Sequence, residues 1–105
     1  MNQEKLFPEG KCESLTDSKI ISMVVDGKLT RNRHFEFFKT KRGSELFKKA
    51  TILKGFLRDL KNGAKIINEN VEKESVFITI ENKTDKYKRT VLMDKNMYSV
   101  FSLIK

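Results

Sequence analysis

The chain has 105 residues, of which 38% are hydrophobic and 34% charged, and it carries 22 basic against 14 acidic side chains. This length is typical of one small domain, and no apolar run approaches the roughly 20 residues that span a membrane. One Cys and one His cannot build a disulfide framework or a structural zinc site. We therefore predict a single domain over residues 1–105, with no metal, no cofactor and no membrane partner.

The net charge of +8 is concentrated in the middle of the chain. Residues 28–65 hold twelve basic and three acidic side chains, whereas residues 1–27 have a net charge of −2 and residues 66–105 a net charge of +1. A localised basic segment attracts polyanions and is typical of nucleic-acid-binding proteins. An acidic protein surface is the alternative partner, and lysines that only aid solubility are the third interpretation.

The first residues contain no hydrophobic targeting core, and a lone Cys fits a reducing compartment. We therefore expect a cytoplasmic protein, with the nucleoid or the nucleus as alternatives. Residues 1–15 include Pro8 and Gly10, which predict an irregular lead-in.

Residues 19–25 permit two interpretations. The Asp26-Gly27 pair after a run rich in β-branched residues predicts a strand that enters a hairpin. Alternatively, Thr16 or Ser18 caps a short helix that stops at Gly27. The density of Ile and Val favours the strand.

Residues 33–39 predict a second strand, because their side chains alternate between two faces. Phe35 and Phe37 share the face expected to turn toward the core. His34 and Phe38 lie on the other face, where an exposed ring is available to a ligand.

Residues 45–61 have the apolar spacing of an amphipathic helix. The stripe consists of Leu46, Ala50, Leu53, Leu57 and Leu60. Ser44 is a suitable N-cap, and Asn62-Gly63 is a suitable stop. Residues 64–67 form either a short strand or the ragged end of the helix.

The last part of the chain predicts a hairpin and a helix. Residues 76–80 alternate as a strand, residues 82–85 form a polar turn, and residues 87–93 return as the next strand. Asp94 is a suitable N-cap for a final helix. Its apolar positions are Met97, Val100, Phe101 and Ile104, and we expect this end of the chain to be docked.

These elements predict an α+β fold in which two helices cover one face of an antiparallel sheet, in an approximate ββα-ββα order. Two such halves with basic and aromatic hairpins resemble, in outline, the Whirly and Pur-alpha type of single-stranded nucleic-acid binders. The resemblance covers the order of elements over residues 19–105. It implies a homodimer that holds nucleic acid on the exposed face of its sheet.

Basic residues interleave with aromatic ones at residues 31–42 and again at residues 86–89. Proteins that hold single strands use this combination, because cations follow the phosphates while exposed rings stack on bases at roughly 1–3 kcal/mol per base. The helix adds an outward face made mostly of Lys, which contacts phosphate without reading sequence. The predicted nucleic-acid-binding residues are Lys28, Arg31, Arg33, His34, Phe38, Lys39, Lys41, Arg42, Lys48, Lys49, Lys86, Tyr87, Lys88 and Arg89.

We therefore expect a non-catalytic nucleic-acid-binding protein of low sequence specificity that favours single-stranded DNA or RNA. A small regulator or inhibitor that docks on an acidic protein is the alternative. A metal-independent ribonuclease is a third hypothesis, since the 2′-hydroxyl of RNA supplies its own nucleophile. Its candidate residues are His34, Tyr87, Lys88 and Arg89.

Overall fold

The computed structural model describes residues 12–104, so the lead-in predicted for residues 1–15 lies mostly outside the described residues. The chain divides into two compact units, which we call the N-terminal unit (residues 1–51) and the C-terminal unit (residues 52–105). Within residues 12–104 the fold is α+β, with four helices and a three-stranded antiparallel sheet. The predicted fold class is confirmed.

Helix α1 spans Asp17–Val25, where we predicted a strand. The Thr16 side chain accepts a hydrogen bond from the backbone N–H of Lys19 at 3.2 Å and so caps the helix. At the other end Gly27 has a φ of 82°, and the Lys28 N–H reaches the carbonyl of Met23 at 2.8 Å in a Schellman motif. The cap at Thr16, the turn at Gly27 and the buried apolar face of the helix together outweigh the strand preference of the β-branched residues.

The second predicted strand is also wrong. Residues 31–34 form a turn, and a four-residue helix, α2, follows at Phe35–Phe38. A helix places neighbouring side chains about 100° apart, whereas a strand sends them to opposite faces. Phe37 and Phe38 are therefore both buried, and Phe35 is turned outward.

Helix α3 spans Lys41–Lys61 and begins four residues before its predicted start. Thr40, not Ser44, supplies the capping oxygen, because its Oγ1 accepts from the Gly43 N–H at 3.0 Å. The predicted stop is confirmed: Gly63 has a φ of 109°, and the Ala64 N–H bonds to the carbonyl of Asp59. The buried side chains of the helix are Leu46, Ala50, Leu53 and Phe56.

The C-terminal unit contains the sheet, in the order β1-β2-β3. Strand β1 spans Lys65–Val71, which resolves the ambiguity at residues 64–67 in favour of a strand. Strands β2, Ser75–Glu81, and β3, Lys88–Asp94, confirm the predicted hairpin. The buried face of these two strands is formed by Val76, Ile78, Ile80, Val91 and Met93.

Helix α4 spans Lys95–Ile104 and packs against β2 and β3. Asp94 caps it as predicted, since its Oδ1 accepts from the Met97 N–H at 2.9 Å. Phe101 is buried with its ring centroid 5.6 Å from that of Phe56. Ile104, which we expected in the apolar stripe, is 44% exposed.

The observed order of elements within residues 12–104 is ααα-βββα, so the predicted ββα-ββα order is not confirmed. None of the helices in this part of the chain combines the length and the apolar character that crossing a membrane requires.

Candidate nucleic-acid interface

The turn before α2 presents cations to solvent. Arg31 and Arg33 are exposed there, as are Lys39 and Lys41 just after α2. Lys28, in the loop that follows α1, is exposed as well. Five of the predicted binding residues are thus accessible within residues 28–41.

Phe35 is the exposed aromatic residue of this region, with 56% of its surface accessible. The Lys39 Nζ lies 5.1 Å from the centroid of the Phe35 ring and 3.1 Å from a carboxylate oxygen of Glu36. The ammonium thus lies over the exposed Phe35 ring, and exposed rings near cations are the combination with which single-strand binders hold bases and phosphates. We missed Phe35 because its alternation with Phe37 indicated a core-facing strand position.

Phe38 and His34, which we predicted to be exposed, are buried at 4% and 5% accessibility. The Phe38 ring packs edge-on against Phe37 at 5.1 Å and against Phe47 at 5.3 Å. The His34 Nδ1 lies 3.3 Å from the Thr30 N–H and accepts from it when that ring nitrogen is unprotonated. Neither ring is placed to stack on a base.

Arg42 is bound to its own chain. Its Nε and Nη2 donate to the Oδ1 of Asp17 at 3.0 and 2.8 Å, and Nη2 also donates to the Leu15 carbonyl at 2.8 Å. Arg31 has a looser contact, because its guanidinium carbon lies 4.9 Å from the centroid of the Phe47 ring. Arg42 therefore has a structural role, whereas Arg31 is still exposed.

Helix α3 contributes cations in both units. In the N-terminal unit Lys48 is exposed and Lys49 is half-buried. In the C-terminal unit Lys54, Arg58 and Lys61 are all exposed, and their spacing of four and three residues aligns them along one side of the helix.

The β2–β3 hairpin carries the second predicted cluster. Tyr87 is 62% exposed, and its N–H donates to the Oδ1 of Asp85 at 3.0 Å. Lys86 is exposed with a φ of 60°, and Lys88 lies opposite Glu81 in the ladder. The four predicted residues also include Arg89, whose Nη2 lies 2.7 Å from the Oδ2 of Asp59. Three of them thus project into solvent, and Arg89 holds the hairpin to α3.

The described residues offer few side chains that could act in catalysis. Residues 12–104 hold no group of three or more His, Cys, Asp and Glu side chains that could bind a metal ion. For a ribonuclease, the buried His34 is a poor general base, because a substrate hydroxyl must come within hydrogen-bonding reach of such a group.

Comparisons with protein-family models, with curated protein sequences and with solved structures found no match to the chain. The outline resemblance to Whirly and Pur-alpha proteins rested on two strand–strand–helix halves. That basis is lost, since the first half is helical.

Proposed function

We propose that the protein binds nucleic acid with low sequence specificity and favours single strands. The observation that carries the proposal is the half-exposed Phe35 ring beside the Lys39 ammonium, within a segment of exposed cations. A base in a duplex is stacked on both sides, whereas an unpaired base can stack on a protein ring. Phe35 therefore favours a single strand.

The composition of the region favours backbone contacts over base readout. Its exposed side chains include Lys28, Lys39, Lys41 and Lys48, whose compact ammonium groups contact phosphate as point charges. Contacts to phosphate position the strand without reporting its sequence. We therefore expect similar affinities for strands of different sequence and no cleavage of bound RNA.

The first test is Phe35→Ala in a binding titration against single-stranded DNA, single-stranded RNA and duplex DNA. Loss of one stacked base at roughly 1–3 kcal/mol predicts an affinity for single strands that is about 5- to 150-fold weaker. Leu103→Ala is the matched control, because Leu103 is an 83% exposed apolar residue of the other unit. If Phe35→Ala binds single strands as the wild type does, the stacking site is disproved.

The second test reverses charge at Arg33 and Lys41, which are both exposed. Two lost phosphate contacts should lower the salt dependence, the slope of log K against log salt, by about 0.7 for each contact. The control with the same net charge reverses Lys19 and Lys73, which are exposed outside the segment. Equal losses in the two variants would mean that net charge alone drives binding.

The same variants separate the proposal from docking on an acidic protein, when pull-downs after nuclease treatment are compared with the titrations. A basic surface that fits a protein partner would lose that partner in the Arg33→Glu, Lys41→Glu variant and keep it in Phe35→Ala. Nucleic-acid binding requires both changes to weaken the complex, and a labelled RNA strand should remain intact throughout.

A further inference from the structure

Strand β3 is an edge of the sheet, because it pairs with β2 on one side and no other strand of residues 12–104 joins it. Its seven residues pair with β2 without a register shift, and they contain neither Gly nor Pro. The opposite edge, β1, is interrupted by a shift between Ile66 and Asn68. A regular edge strand is a template for pairing with another chain, whereas a bulge discourages such pairing.

One hydrogen bond at the hairpin shows which backbone groups of β3 point away from β2. The Asn82 N–H donates to the Tyr87 carbonyl at 2.8 Å, and these residues continue the register in which Glu81 faces Lys88. Hydrogen-bonded and non-hydrogen-bonded pairs alternate along an antiparallel ladder. Therefore Thr90 and Leu92 direct their N–H and C=O groups away from β2.

We propose that β3 pairs with β3 of a second copy of this chain in an antiparallel, two-fold symmetric arrangement. With Val91 on the two-fold axis all seven residues overlap, and Thr90 of each copy faces Leu92 of the other. These are the residues whose outward backbone groups need partners. The pairing joins two three-stranded sheets into one of six strands.

The charges of the strand fit this register. Lys88 begins β3 and Asp94 ends it, so the full overlap places Lys88 of each copy opposite Asp94 of the other. The two residues are an even number of positions apart and therefore share one face of the sheet. Opposite charges that face each other across strands stabilise pairing, whereas like charges oppose it.

The exposed side chains of β3 also fit pairing with β3 of a second copy. Leu92 is 57% exposed on the face that α4 does not cover, where it neighbours Phe77 of β2. In the proposed register Leu92 also contacts Thr90 of the second copy. An isologous contact of this kind closes as a dimer, whereas pairing of β3 with β1 would continue into open-ended assemblies.

Sedimentation equilibrium of the nuclease-treated full chain, over a range of concentrations, tests the proposal. We expect a reversible monomer–dimer equilibrium and nothing larger. Leu92→Pro removes an outward N–H and is compatible with an edge strand, so it should weaken the dimer by about tenfold or more. Leu92→Ala is the matched control, since it shortens the same side chain and keeps the N–H, and it should dimerise more tightly than the Pro variant.

A cross-link tests the register even if Leu92→Pro fails to fold. Thr90→Cys and Leu92→Cys chains, mixed and oxidised, should form a disulfide-linked heterodimer in preference to either homodimer, because only opposed residues bring their Cα atoms within about 7 Å. The native Cys12 is fully buried, and the wild-type chain serves as the control for its reaction. A chain that stays monomeric at every concentration, assemblies larger than a dimer, or cross-linking without preference for the mixed pair would overturn the proposal.

Discussion

Arg42 and Asp17 are joined by two hydrogen bonds to a single carboxylate oxygen, from Nε at 3.0 Å and from Nη2 at 2.8 Å. Asp17 is the first residue of α1, and Arg42 is the second residue of α3. The same Nη2 donates to the carbonyl of Leu15, so the guanidinium holds the chain that enters α1. A cation that the sequence assigned to phosphate binding thus stabilises the N-terminal unit.

We predict that Arg42→Ala lowers the free energy of unfolding by about 1 kcal/mol, a value discounted because both side chains are about 40% exposed. Lys41→Ala is the control, since Lys41 is exposed at the neighbouring position, and it should change stability by less than about 0.5 kcal/mol. Urea denaturation of both variants measures the difference. Equal stabilities would show that the Arg42 contacts contribute nothing in solution.

The parts of the fold that were predictable are those in which a local pattern has one physical meaning. Alternation at Val76, Ile78 and Ile80 requires a half-buried strand, and Asn62-Gly63 ends a helix because Gly accepts a positive φ. Asp94 is an N-cap for the same local reason. Such signals act over a few residues and need no knowledge of tertiary contacts.

The segments at residues 19–25 and 33–39 were not predictable in this way. Both are too short for their apolar period to decide between helix and strand. In the first, the cap at Thr16 and the turn at Gly27 determined the outcome. In the second, burial of two adjacent Phe residues decided it, and this depends on the ring of Phe47 nine positions away from Phe38.

The candidate site was only partly predictable, because the exposure of its side chains depends on whether residues 33–39 form a helix or a strand. The basic segment at residues 28–65 was identified directly, because charge is read from sequence. Which ring is exposed depends on the secondary structure. As a strand the segment would expose Phe38, whereas as a helix it exposes Phe35. Arg42 could not be assigned from sequence, because its partner Asp17 lies 25 residues away.

Because Phe38 is buried and Phe35 is exposed, alanine substitutions at these two positions should affect stability very differently. Phe38→Ala should lower the free energy of unfolding by about 3–5 kcal/mol, because it empties a site between two other rings. Phe35→Ala should change it by about 0.5 kcal/mol at most, since that ring is already more than half exposed. Thermal melts of the two variants, followed by circular dichroism, compare them. The opposite order of stabilities would restore the strand interpretation of this segment.

Two glycines of α3 should respond to alanine in opposite directions. A Cβ on Gly43 would collide with the carbonyl oxygen of Phe37, a backbone atom that cannot rotate away. We expect Gly43→Ala to lower the free energy of unfolding by about 3 kcal/mol. A Cβ on Gly55 comes no closer than 4.0 Å to the end of the Arg58 side chain, so Gly55→Ala should stabilise by about 0.5–1 kcal/mol.

Urea denaturation measures both glycine variants. The Gly55 variant controls for the general helix preference of Ala, because both positions lie within Lys41–Lys61. A stabilising Gly43→Ala change would mean that the turn between α2 and α3 is looser than the close approach at Phe37 indicates.

Asp94 has two separable roles, and two substitutions distinguish them. Asp94→Ala removes the acceptor for the Met97 N–H and should lower the free energy of unfolding by about 1 kcal/mol. Asp94→Asn keeps a capping oxygen and should preserve the contribution of the cap, since Asn caps as well as Asp. The charge that pairs with Lys88 of a second copy is lost in both variants.

For the dimer, Asp94→Asn removes two charge pairs at the edge of the sheet, each worth roughly 0.2–1 kcal/mol, so dimerisation should weaken by about two- to thirtyfold. High salt should remove most of the difference between Asp94→Asn and the wild type, because exposed ion pairs are screened. Thermal melts and sedimentation equilibrium at two salt concentrations measure the two effects separately. A variant that dimerises like the wild type at low salt would show that Lys88 and Asp94 do not face each other across the two-fold axis.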